Sequence, residues 1–153
     1  MTELREILSD ARLQQLRAAY DPAVMRAAML ETIVRSYPPL DEWNRAIAST
    51  FYGETSPIGA RDRERCLIAL LTQSGAELSL AIHLYWGLME GMSVAEVAHT
   101  IGLAASYAGV PRLAFGLPLL ERVLSRLAAV DPANGYGSAR ILQILLDSFA
   151  RAG

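Results

Sequence analysis

A chain of 153 residues, 52% of them apolar and 20% charged, is long enough to bury a core as a single domain spanning residues 1–153. Its net charge of −2 and its lack of a dense Lys/Arg stripe give no general attraction to nucleic acid. Its single cysteine, Cys66, excludes an intrachain disulfide framework and a multi-cysteine zinc site. No apolar run reaches the roughly 18 residues of a membrane span, and the opening MTELREILSD lacks the basic start and apolar core of a signal peptide, so a cytoplasmic protein is expected.

Apolar residues recur at helical spacing along nearly the whole chain, and strand-like alternation is scarce. A first helix is expected from about Thr2 to Tyr20, striped by Leu4, Ile7, Leu8, Leu13 and Leu16. Asp21-Pro22 reads as an N-cap with proline at the first helical position, and the helix it opens stops at Pro38-Pro39. A third helix runs from Asp41 through Trp43, Ile47 and Phe51, and the turn formers of 53–59 make a loop. A helical hairpin follows, about Ala60 to Ser74 and about Glu77 to Glu90, with Gly75 between its arms and Gly91 after it. Ser93-Val94-Ala95-Glu96 matches a capping box and opens a helix to about Tyr107. A break at 108–111, a helix over roughly Arg112 to Ala128 and a loop at 131–137 come next. Ser138 caps a last helix striped by Ile141, Leu142, Ile144, Leu145 and Phe149. The sum is an all-α, compact bundle of about eight helices with a central hairpin. A mean hydropathy of +0.24 is high for a monomer and points to self-association, for which the first and last helices are the candidate surfaces.

The hairpin carries the chemistry. Glu64, in the run Arg61-Asp62-Arg63-Glu64-Arg65, and His83, on the second arm, converge if the two helices pack together. A carboxylate beside an imidazole suits proton transfer. The bland alternatives are a solvated helix start for Glu64 and a hydrogen-bonded core histidine for His83, which stands among Ile82, Leu84, Tyr85 and Trp86. His99 reads as a surface or interface residue and Cys66 as a small buried hydrophobe. No close His/Asp/Glu spacing supports a metal site.

The stretch from about Tyr52 to Leu127 resembles the carboxymuconolactone decarboxylase and alkylhydroperoxidase-D-like superfamily. The likeness rests on RDRERCLIALLTQSG, AELSLAIHLYWGLMEGMSVAEVAHTI and ASYAGVPRLAFGLPLLERV, in that order. It implies an all-α fold without a cofactor that assembles as a homotrimer or homohexamer. The peroxidase branch carries a Glu, a Cys-x-x-Cys pair and a His four residues after the second Cys. Here the Glu falls on Glu64 and the His on His83, but the two cysteine positions are Ala76 and Ser79. Thiol redox chemistry needs a thiolate and a resolving thiol, so the resemblance implies the decarboxylase branch, which acts on a small carboxylated lactone.

On that reading His83 is the proton donor or oxyanion partner and Glu64 orients it. Arg63, Arg65 or Arg112 holds the substrate carboxylate, and Ser79, Trp86 and Tyr107 wall the pocket. Two rivals stand beside it: another proton-transfer enzyme acting on a small carbonyl compound, and a non-enzymatic oligomeric binding or assembly protein with the same fold.

Overall fold

The computed structural model describes residues 3–36, 38–53, 55–131 and 137–149. Among them are nine α-helices, a short 3-10 turn at Pro38–Leu40, and no strand. The helices are α1 (Leu4–Ile7), α2 (Asp10–Ala18), α3 (Pro22–Ser36), α4 (Asp41–Phe51), α5 (Ala60–Ser74), α6 (Glu77–Met89), α7 (Val94–Ala108), α8 (Val110–Ala128) and α9 (Ser138–Phe149).

The centre of the bundle is α6. Leu80, Ala81, Ile82, Leu84, Tyr85, Leu88 and Met89 are all buried, on every side of the helix. A helix apolar all round must be surrounded, and α2, α5, α7, α8 and α9 pack against it. The hairpin that α6 forms with α5 turns at Gly75, whose φ of 76° is left-handed and whose N–H donates to the Leu71 carbonyl at 3.0 Å. Close packing of the two arms depends on Gly87. A Cβ there would lie 2.9 Å from Ile68 Cδ1 and 3.0 Å from Met92 Sδ. The capping box at the start of α7 is complete: Glu96 N–H donates to the Ser93 hydroxyl at 3.2 Å, and Ser93 N–H donates to Glu96 Oε2 at 2.9 Å.

Several expectations need correction. The first helix is two, because the backbone turns extended at Leu8 and Ser9 and Ser9 caps α2 by accepting from Arg12 N–H at 3.3 Å. The break swings Leu8, Leu13 and Leu16 into the chain's own core, and Ile141, Leu142, Leu145 and Phe149 of α9 are buried there too. Leu4 and Ile7 of α1 and Ile144 and Leu146 of α9 are only partly buried. Ser138 does not cap α9. Its hydroxyl accepts from Asp21 N–H at 2.7 Å and so ties the start of α9 to the start of α3. The break between α7 and α8 narrows to Gly109, and α8 begins at Val110, not Arg112. Thr2 and residues 132–136 of the second expected loop lie outside the described residues. No described helix is long and apolar enough to cross a membrane.

Candidate proton-transfer site

Glu64, Ile68 and Thr72 are the buried residues of α5, spaced four apart on the side that packs into the bundle. The first position of this core stripe is thus a carboxylate, 1% exposed. Burial of a charge demands partners, and both oxygens have one. Glu64 Oε2 lies 2.7 Å from His83 Nδ1, and Oε1 accepts from Arg63 Nε at 3.3 Å. With Nδ1 directed at the carboxylate, the neutral imidazole is fixed as the tautomer with a bare Nε2, and the imidazolium would present Nε2–H as a donor. The ring is held from its flank by Trp86, edge to face at 4.9 Å between centroids. Trp86 in turn meets Tyr52 at 6.0 Å, and the Arg63 guanidinium lies 4.4 Å from the Tyr52 ring centroid. Burial, with the Glu64 charge second, pushes the Tyr52 phenol up; Arg63 and Arg26 oppose the rise. The phenol stays protonated at neutral pH.

His83 and Trp86 line a cleft of about 190 Å³. α3 contributes Arg26, Met29 and Leu30, and α4 contributes Asn44, Ile47 and Ala48, with Tyr52 just beyond it. Two buried polar atoms of these residues, Trp86 Nε1 and Asn44 Nδ2, have no hydrogen-bond partner. Among the described residues, no group of three or more His, Cys, Asp or Glu side chains is arranged to hold a metal ion.

The residues singled out from sequence separate in space. Glu64, His83 and Trp86 come together. Arg63 supports Glu64 and also donates to the Phe51 carbonyl at 3.3 Å, and it lines a neighbouring cleft, not this one. Arg65 pairs with Asp62 of its own helix at 2.7 Å and reaches Glu96 of α7 at 3.4 Å. Arg112 covers the hairpin turn, its guanidinium nitrogen 2.5 Å from where a Cβ on Gly75 would stand. Ser79 is exposed and does not line the cleft. Tyr107 is 90% exposed at the end of α7. Cys66 is exposed, not buried. With Arg65, Glu96, His99 and Tyr107 it lines a broader groove of about 710 Å³ between α5 and α7.

Arg26, Asn44 and Tyr52 were not anticipated. A signal for two of them exists. Arg26, Met29 and Leu30, and again Asn44, Ile47 and Ala48, stand at i, i+3 and i+4, the spacing of one helix face. Each set places one polar residue on an otherwise apolar strip.

Comparison with known proteins gives one match. The family model described as the carboxymuconolactone decarboxylase family matches residues 40–122, over half of the chain. No curated protein and no solved structure matches the chain.

Proposed function

The chain belongs to the carboxymuconolactone decarboxylase family, and from that premise we propose that it is an enzyme that decarboxylates a small carboxylated lactone or a related β-oxo acid by proton transfer. The observation that carries the reading is the 2.7 Å contact of Glu64 and His83 beside a cleft. In the reaction the bond between the carboxylate carbon and the ring or chain carbon breaks, and carbon dioxide leaves. The electron pair left behind delocalises onto the substrate's own carbonyl oxygen as an enolate. The substrate is thus its own electron sink, and no cofactor is needed for that role. His83 Nε2–H then donates a proton to carbon, and solvent returns a proton to the ring. Glu64 balances the positive charge of the imidazolium before that donation and again after solvent has restored the proton, and it fixes which nitrogen faces the cleft.

The test is carbon dioxide release from a panel of unsaturated carboxylated lactones and β-oxo acids. The expected result is release by the native protein that falls at least about a hundredfold in His83→Gln, the scale of a lost general acid. Equal release by both proteins removes His83 from the mechanism.

The reading includes self-association as a homotrimer or homohexamer. Apolar side chains left in water around α7 and α8 support it: Leu103, Tyr107 and Val110 are each more than half exposed. A folded monomer in sedimentation at micromolar concentration would contradict it.

A further inference from the structure

We propose that Arg26 is the anion-binding residue that sets the specificity of the His83 cleft, and that the ligand it selects is a small monocarboxylic acid with a carbonyl oxygen and an apolar body. The inference rests on the reading of this cleft as a substrate site.

Arg26 is the one arginine that lines the cleft. Among the described residues it makes no ion pair and no hydrogen bond, whereas Arg35, Arg45, Arg61, Arg63, Arg65 and Arg122 each hold a carboxylate. This cleft is lined by no Asp or Glu, and although Arg26 also borders the neighbouring cleft that contains Glu90, it forms no ion pair with it. Met29 and Leu30 from its own helix, with Ile47 and Ala48 opposite, give it apolar surroundings, where attraction to an anion is less screened than in water. A guanidinium also presents a planar fork that fits a carboxylate with two parallel bonds.

Two residues of the lining also hold unmet polar atoms. The polar atoms left without partners, Trp86 Nε1 and Asn44 Nδ2, are both donors, and unmet buried donors are costly. At about 190 Å³ the cleft is smaller than the roughly 300–1,000 Å³ of sites for drug-sized ligands. One cation among apolar flanks disfavours cationic ligands, and the volume excludes large ones. Arg26 lies on α3, ahead of the matched segment 40–122. Selection of the ligand is thus assigned to a helix outside that segment, while the Glu64–His83 pair lies inside it.

The test separates binding from chemistry by using γ-butyrolactone γ-carboxylate, which is saturated and has no electron sink for decarboxylation, and its neutral methyl ester. The chain has two tryptophans, so a proton–nitrogen correlation spectrum carries two indole signals, assigned with Trp43→Phe. The acid should shift the Trp86 signal saturably, and the ester should bind at least about tenfold more weakly, as expected for loss of a charged hydrogen bond. Arg26→Gln should weaken the acid by about ten- to a hundredfold and leave the ester unchanged. Arg26→Lys should restore part of the preference for the acid. The spectrum itself reports whether each variant is folded. Equal binding of acid and ester, an Arg26→Gln variant that keeps the preference, or no shift at Trp86 overturns the inference. Arg26-dependent binding by a protein that releases no carbon dioxide upholds it and overturns the proposed reaction. Turnover indifferent to Arg26→Gln does the reverse.

Discussion

The two histidines of the chain stand beside two clefts with the same kinds of neighbour and different bonding. One cleft has His83, Arg26 and, behind the imidazole, Glu64; the other has His99, Arg65 and Glu96. In the first, the carboxylate is buried and bonded to the ring. In the second, Glu96 closes the capping box of α7 and also takes Arg61 and Arg65, while His99 is exposed and makes no hydrogen bond among the described residues. Residue inventory therefore does not distinguish a reactive pair from a structural one. What distinguishes them is whether the carboxylate has a helix end to cap. Glu96 sits at the third position of its helix and is taken by the backbone. Glu64 sits a full turn inside α5, beyond reach of the free N–H groups, and its oxygens remain for side chains.

The comparison can be broken most directly by exchanging the histidines' fates. His83→Gln should abolish carbon dioxide release by at least about a hundredfold, while His99→Gln, at an exposed ring without partners, should leave it within about twofold of native. Equal loss in both variants would mean that the two clefts act together.

A second, smaller contrast lies in stability. Glu64→Gln removes the buried charge that answers both His83 and Arg63, and it should cost about 1–3 kcal/mol in denaturant unfolding at neutral pH. Glu96→Gln should also destabilise, but with a pH signature. Hydrogen bonds from the Ser93 backbone and hydroxyl, then from Arg61, hold the Glu96 carboxyl down at about 2, against 4.5 for the free side chain. A depressed folded-state pKa means the contribution is fully present above about 4.5 and is lost as pH falls through about 2. The gap between native protein and Glu96→Gln should therefore narrow across that window and close below it. A gap that is constant with pH would deny the charge-assisted cap.

The smallest effects concern the groove side. Cys66 is exposed there, so a thiol reagent should label it in the folded protein without loss of decarboxylation. Labelling only after unfolding would return Cys66 to the buried reading, or place it under a second copy of the chain. Ser138→Ala should cost about 1 kcal/mol, because the Asp21 N–H loses its acceptor.

Most of the helices were legible because local signals and tertiary structure agree. Asp21-Pro22, Gly75 and Ser93-x-x-Glu96 do what their residue types dictate, and Asp21 Oδ1 accepts from Ala23 N–H at 2.9 Å and Val24 N–H at 3.1 Å. Ser138 was misjudged because its hydroxyl has a better offer from a distant backbone N–H, and no local pattern encodes that. The break at Leu8-Ser9 was hidden because Leu4, Ile7, Leu8, Leu13 and Leu16 nearly satisfy one continuous stripe. For the site, the pairing of Glu64 with His83 followed from hairpin geometry. The choice of arginine did not, because a guanidinium near Glu64 in sequence is drawn to nearby carboxylates or carbonyls, as Arg63 and Arg65 are. The arginine that lines the cleft comes from α3, distant in sequence and brought in only by packing.

The measurement that reaches the central claim most directly is solvent deuterium entering carbon. The panel of unsaturated lactone acids and β-oxo acids would be incubated in heavy water with the native protein and with His83→Gln, and the products read by proton resonance. Proton delivery from His83 predicts that the native protein places deuterium on one face of the carbon that lost carbon dioxide, and that His83→Gln does not. Deuterium on both faces, as free solvent would place it, or equal incorporation by the two proteins, would contradict the account.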